Sequence, residues 1–238
     1  LVGRAIAEAV DEGDVRRRIA ELRDDFITGG FGNATAATLV QFMRGRGFAA
    51  ADNPQSVDPS RIDWVLANRR GIPITLSVVY VMVGRALGLP AHGVNFPHHF
   101  LLRADGNLID ALNAQLLTQA DIDGWLRDAN LMHLGDAALA AAPPDDIAVR
   151  MFNNVKAIYA AQGDYVGALA LIDCQLPLVS DAGPLHLERA ELWFRLGNTN
   201  AATAVLETVR AEFVGTRWQS EIDKRLRRLG SQPPATIH

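Results

Sequence analysis

Between residues 92 and 113 the chain gathers side chains suited to acid–base or ligand chemistry: His92, Asn95, His98, His99, Asp110 and Asn113. The segments that carry them, AHGVNF (91–96), HFLLR (99–103) and NLIDAL (107–112), are short and partly alternating. Pro97 and the Ala-Asp-Gly-Asn stretch at 104–107 divide them. That punctuation predicts a small antiparallel meander. His99 opens one predicted strand and Asp110 ends the next, so a hairpin turned at 104–107 sets the two roughly opposite each other. An imidazole facing a carboxylate is the base–orienter couple of nucleophilic catalysis. On spacing alone, a hydrogen-bonded structural histidine at a strand start is the simpler account. A metal reading would take His92, His98, His99 and Asp110 as ligands. Adjacent strand residues point to opposite faces, however, which makes His98 and His99 poor partners for one ion. The chain is therefore read as holding no metal and no other cofactor.

A long apolar segment, GIPITLSVVYVMVGRALGLP (71–90), precedes the meander. Its Val, Ile and Thr content suits a strand, but an uninterrupted run from Pro73 to Leu87 is too long for one. Pro73 near its start and Gly88 with Pro90 at its end are helix punctuation, so a buried helix is predicted. Upstream, Val15, Ile19, Leu22 and Phe26 share one face of a helix, and Asp11–Asp14 is expected to separate it from an earlier one. A glycine turn (Gly29, Gly30, Gly32), a helix bearing Leu39, Phe42 and Met43, a loop over 49–60 and a helical turn from Ile62 follow.

Beyond about residue 145 the pattern is helical and repeats. QGDYVGAL (162–169) and LGNTNAAT (196–203) align at a spacing of 34 residues, with Gly163 over Gly197, Asp164 over Asn198 and Ala168 over Ala202. That period is the tetratricopeptide helical hairpin's, in which small residues let helices approach closely. Met151, Val155 and Ile158, then Tyr165, Leu169, Ile172 and Leu176, are expected to line the first pair. Leu185, Leu192 and Leu196, then Ala202, Val205, Val209 and Phe213, would line the second. The seam falls near 140–146, dividing the chain into 1–140 and 147–230. EIDKRLRRLG (221–230) reads as an amphipathic helix with a solvated face, and the tail after it as frayed.

Composition narrows the function classes. The 238 residues are 49% hydrophobic and 21% charged, enough apolar material for a substantial core. With 23 basic against 27 acidic residues and a net charge of −4, nucleic acid is not the expected partner. The mid-chain stretch free of charge, Gly71–Gly84, is shorter than the roughly 18 residues of a spanning helix, so no membrane is expected either. The first ten residues lack a leader-like apolar block. A single cysteine, Cys174, rules out an internal disulfide and a four-cysteine zinc site and suits a cytoplasmic protein. Phosphate-loop, His-Glu-x-x-His, Cys-x-x-Cys and Gly-x-Ser-x-Gly signatures are all absent.

RRGIPITLSVVYVMVGRALGLPAHGVNFPHHFLLR (69–103) resembles the signature of a bacterial transglutaminase-like family, the SirB type. Its elements are an Arg-Gly-x-Pro-Ile-x-Leu helix start, a Gly-Leu exit and a Gly-Val-x-x-Pro-x-His-Phe-Leu strand pair. RMFNNVKAIYAAQGDYVGAL (150–169) is similar to the same family's entry into tetratricopeptide-like repeats. The resemblance implies an α+β fold: a mostly helical, papain-like or transglutaminase-like core with a small antiparallel sheet, then an α-helical repeat unit. In active relatives a Cys at the start of the central helix attacks an amide, assisted by a His and an Asp. By motif these are His99 and Asp110, but the thiol's place falls near Pro73. The nearest hydroxyls are Thr75 and Ser77. Ser77 is the one candidate nucleophile, and a small buried residue capping its own backbone is the simpler reading of it. Cys174 lies in the repeat, where a free Cys is usually packing. The residue before His99, usually Gly, is His98, and Asp-Pro-Phe-Asn is replaced by Asp110-Ala111-Leu112-Asn113.

The implied function is a pseudoenzyme that binds a protein or peptide, with Arg70, Asn95, His98 and Asn113 as candidate binding residues. The alternative is an enzyme of peptide, amide or acyl-transfer chemistry that uses His99 and Asp110 on a small-molecule or peptide substrate supplying its own nucleophile.

Overall fold

The computed structural model describes residues 11–128 and 139–231. They divide into two compact units, one ending at Ile147 and one beginning at Ala148. Among the described residues no helix is long and apolar enough to cross a membrane.

The first unit opens with α1 (Glu12–Thr28), capped by Asp11, whose carboxylate accepts from the Gly13 N–H. Asp11 to Asp14 thus starts a helix, and the earlier helix expected before it lies outside the described residues. Val15, Ile19, Leu22 and Phe26 are its buried stripe. A capping box between Thr35 and Thr38 starts α2 (Ala36–Gly45). The stretch expected as plain loop carries β1 (Ala49–Ala50) and a 3-10 turn at Asp58–Ser60. After α3 (Ile62–Asn68), β2 (Arg70–Gly71) pairs with β1 in parallel. Two-residue strands leave no alternation to detect, and only the returning chain creates them.

The apolar segment forms α4 (Pro73–Ala86), as predicted. Pro73 takes the first helical position, where its missing N–H costs nothing. At the other end Gly88 adopts φ +82° and the Leu89 N–H reaches the Gly84 carbonyl at 2.9 Å, closing the helix in a left-handed cap. Ile74, Leu76, Val79, Tyr80 and Val83 are all buried. Each such side chain gains about 1.5–3 kcal/mol from burial, which exceeds the few tenths that β-branching costs a helix.

A four-stranded antiparallel sheet follows in the order β3 (Ala91–Phe96), β4 (His99–Ala104), β5 (Asn107–Asp110), β6 (Gln115–Leu116). Ala91, Leu102, Ala104 and Ile109 face the core built on α1, α2 and α4. Val94, Phe96, Leu101 and Leu108 face the opposite way, onto Ile122 and Leu126 of α5 (Gln119–Asp128). This alternation puts both sheet faces under helices. The Ala142 N–H donates to the Gly93 carbonyl at 2.8 Å, covering the β3 edge.

The unit boundary falls in the first turn of α6 (Pro144–Ala161), and α7 (Tyr165–Gln175), α8 (Gly183–Arg195), α9 (Thr199–Arg210) and α10 (Gln219–Gly230) follow. The 34-residue recurrence has a local cause. Gly163 and Gly197 take φ +79° and +76°, while Asp164 and Asn198 are N-caps accepting from the backbone three residues on, both at 2.9 Å. Ala168 and Ala202 are fully buried. Leu196, expected in the core, is exposed where α8 ends. The helix over 221–230 keeps an exposed charged face at Lys224 and Arg227, while Arg225 donates to the Leu187 carbonyl and Arg228 pairs with Glu191.

Candidate functional site

The hairpin joining β3 and β4 pairs Phe96 with His99, which makes Pro97 and His98 a two-residue turn. Pro at the first position and φ +60° at the second are the requirements of a type II turn, for which Gly is the easier second residue. His98 is therefore an exposed turn residue and not a strand neighbour of His99. Its imidazole is not constrained by strand alternation, contrary to the sequence reading.

His99 sits at the head of β4 with its ring stacked on the Trp125 indole, centroids 4.1 Å apart and planes within 7°. Phe96 meets the His99 ring at 60° with centroids 6.0 Å apart and Trp125 at 67°. The three form an aromatic set on the α5 side of the sheet. Trp125 was not singled out in the sequence. Its signal is the spacing Ile122, Trp125, Leu126, which gives α5 one apolar face.

Asp110 ends β5, and its carboxylate is engaged by its own turn. Oδ1 accepts from the Leu112 N–H at 2.9 Å and the Asn113 N–H at 3.3 Å, while Oδ2 accepts from Asn113 Nδ2 at 2.6 Å. With only 6% of its surface exposed, this is an Asx turn made by a buried side chain. The register is offset by two residues from the pairing that would set Asp110 opposite His99. Ala104 pairs with Asn107 across Asp105 and Gly106, both at positive φ, and Leu102 pairs with Ile109. Continued one step, this places Asp110 level with Leu101. It shares a sheet face with His99 but lies diagonally from it.

The remaining candidates separate. Ser77 is fully buried and its hydroxyl donates to the Phe100 carbonyl at 3.2 Å, so it fastens α4 to β4 and does not cap its own backbone. Thr75 Oγ1 donates to the Pro59 carbonyl at 2.7 Å and accepts from the Ile72 N–H. Arg70 donates to the carbonyls of Gly47 and Arg69, closing the β1–β2 bridge. His92 lies at the far end of β3, across from Arg103. Burial, then the charges of Arg103 and Arg85, hold its imidazole below the usual range. Asn95 pairs with Phe100 on β3. Asn113 is brought onto Asp110, its side-chain amide donating to the carboxylate. Among the described residues no three His, Cys, Asp or Glu side chains gather as metal ligands would.

One further group responds to the site. Tyr80, fully buried in α4, has a hydroxyl with no hydrogen-bond partner among the described residues. Burial pushes its phenol well up, and the Asp110 carboxylate adds to the shift.

A transglutaminase-like superfamily model matches residues 7–153, from the N-terminal helices through the meander into α6. The chain belongs to the transglutaminase-like superfamily. A UPF0162 protein of Xylella fastidiosa is 33% identical over 168 residues, covering 64% of this chain and 59% of that protein. A UPF0162 protein of Pseudomonas aeruginosa is 30% identical over 212 residues, 85% of this chain and 77% of the relative. Human F-box only protein 21 is 30% identical over 150 residues, 56% of this chain but 23% of its own length. No solved structure matches. The chain thus spans about three fifths of the Xylella relative, with the superfamily match confined to the sheet-bearing part and the start of α6.

Proposed function

We propose that this chain is a transglutaminase-like pseudoenzyme of the SirB type, joined to a tetratricopeptide-like helical module, and that it acts by binding a protein or peptide. The observation that carries the reading is the start of α4. There, where the family resemblance would have a nucleophilic thiol, the chain places Pro73 at the first helical position, and its one cysteine, Cys174, belongs to α7. Proline's side chain is all carbon and its ring nitrogen is a tertiary amide, so it offers no nucleophilic atom. Ser77 is an unsuitable substitute because a fully buried hydroxyl donating to a backbone carbonyl is neither open to a substrate nor hydrogen-bonded to a base. Asp110, held by three hydrogen bonds from its own turn, reads as a structural anchor of the β5–β6 connection. His99 on Trp125 would serve as a contact surface, with Asn95 and His98 beside it at the β3–β4 hairpin and Asn113 at the Asp110 turn. Matching caps and buried alanines 34 residues apart support the repeat reading of the second unit. The single cysteine favours a reducing, cytoplasmic setting.

The test is turnover. Purified protein is expected to release no ammonia from glutamine peptides and to transfer no acyl group to an amine. Reproducible activity abolished by His99→Ala would overturn the reading in favour of an enzyme with His99 as general base and a substrate-borne nucleophile. In that case Asp110→Asn should remove turnover with little change in melting temperature.

A further inference from the structure

The two edges of the sheet are finished differently. The β3 edge is covered by Ala142, whereas β6 ends the sheet on the other side with both residues exposed. Its register fixes what it presents. Asp110 pairs with Gln115 and Ile109 with Leu116, and the Leu117 N–H donates to the Leu108 carbonyl at 2.9 Å. Bonded and non-bonded pairs alternate in an antiparallel ladder, so the Leu116 N–H and C=O point away from β5. An outward donor and acceptor on an edge strand is a template for one more strand.

Beside that edge lies a groove of about 610 Å³ between α2 and the β6 hairpin. Ala37, Val40, Gln41 and Arg44 of α2 form one wall, and Ala114 and Leu116 form the other. Leu116 is 40% exposed, a large apolar side chain left open. Arg44 stands at the rim, exposed and without an ion pair among the described residues. Apolar walls, an outward backbone pair and one uncompensated guanidinium define an occupant: an extended peptide that adds a strand to β6, sets an apolar side chain into the groove and offers a carboxylate to Arg44.

We propose that the α2–β6 groove is a docking site for an extended acidic–apolar peptide segment, bound by strand addition at Leu116. The proposal rests on the binding reading above and adds to the His99–Trp125 contact a second surface with its own partner chemistry. It also gives Asp110 a purpose, since the three bonds Asp110 accepts shape the turn that carries Ala114, at φ +49°, into the groove wall.

Labelled seven-residue peptides of alternating Val and Thr carrying one Glu, pooled over the Glu position, test it by fluorescence anisotropy with the full chain. Saturable binding is expected, weakened roughly tenfold or more when Lys replaces Glu. Arg44→Glu, at an exposed position, should invert that preference with an unchanged melting curve. N-methylation should abolish binding at alternate peptide positions only, because only every second peptide N–H faces β6. Absence of saturable binding, or binding indifferent to either Arg44→Glu or N-methylation, overturns the proposal. So does a dimer in light scattering that Leu116→Lys dissociates, which would seat a second copy on the edge. Failed titrations in a protein that also shows no turnover sink the groove alone. Turnover sinks the pseudoenzyme reading while the titration still decides the groove.

Discussion

The two units are held together by different physics. In the first, α4 is buried on nearly every side, and its two small buried hydroxyls, Thr75 and Ser77, each find a backbone carbonyl. Packing volume dominates there. In the second, a polar chain runs through the interior. Lys156 Nζ donates to Gln175 Oε1 at 2.8 Å and to Glu188 Oε2 at 2.7 Å, and Gln175 Nε2 donates to the Val149 carbonyl and to Asn153 Oδ1. Gln175 is fully buried and Lys156 nearly so. This network links α6, α7 and α8. Apolar contacts tolerate small slips, whereas a satisfied buried network fixes one arrangement and is costly when half removed.

The contrast can be tested at several levels. Leu76→Ala, in the fully buried stripe of α4, should cost about 3 kcal/mol by chemical denaturation, with hydrogen exchange accelerating first in residues 73–86. Gln175→Leu should cost about 2 kcal/mol by leaving Lys156 a partner short. A double change, Lys156→Met with Gln175→Leu, should recover much of that loss, because removing both polar partners is far cheaper than removing one. If the double variant is as unstable as the sum of the singles, the network is not the unit's organising contact. Asp110→Ala should cost about 1.5 kcal/mol by stripping acceptors from Leu112 and Asn113, with exchange rising over 111–116.

The smallest effects lie in the pH profile, where one group in each unit is shifted with opposite sign. Tyr80 has its phenol raised above the ordinary value of 10.0 in the folded chain, so its contribution is complete below pH 10 and is lost as pH rises beyond it. Tyr80→Phe should remove that alkaline loss and stabilise the neutral protein by up to about 1 kcal/mol, since an unpaired buried hydroxyl disappears. Asp181 in the second unit is held below its ordinary 3.8 by the Arg217 hydrogen bond, with the Gly183 N–H and Trp218 indole assisting. Its contribution is present above pH 3.8 and lost as pH falls, and Asp181→Asn should flatten the acid limb in a urea-melt series.

Much of this was legible in the residues. The helix at 73–86 followed from Pro73, Gly88 and a run too long for a strand. The meander followed from Pro97 and Asp105-Gly106, and the recurrence at 34 residues from small and capping side chains. What escaped had no local signature. β6 is two residues long, α5's Trp125 matters because it lies under His99, and Tyr80 looks like any core aromatic until its hydroxyl is found unpaired among the described residues.

The amino-acid order alone determined where helices and turns begin and end, because capping, proline geometry and apolar period act over a few residues. It also determined that no thiol stands at the head of α4. Tertiary structure decided the rest. The register set at the Asp105-Gly106 turn places Asp110 diagonal to His99, two residues along the strand, and the folding-back of 111–116 commits its carboxylate to a turn. Register and long-range approach are set by how whole faces pack, an energy summed over many contacts that no short run of residues contains.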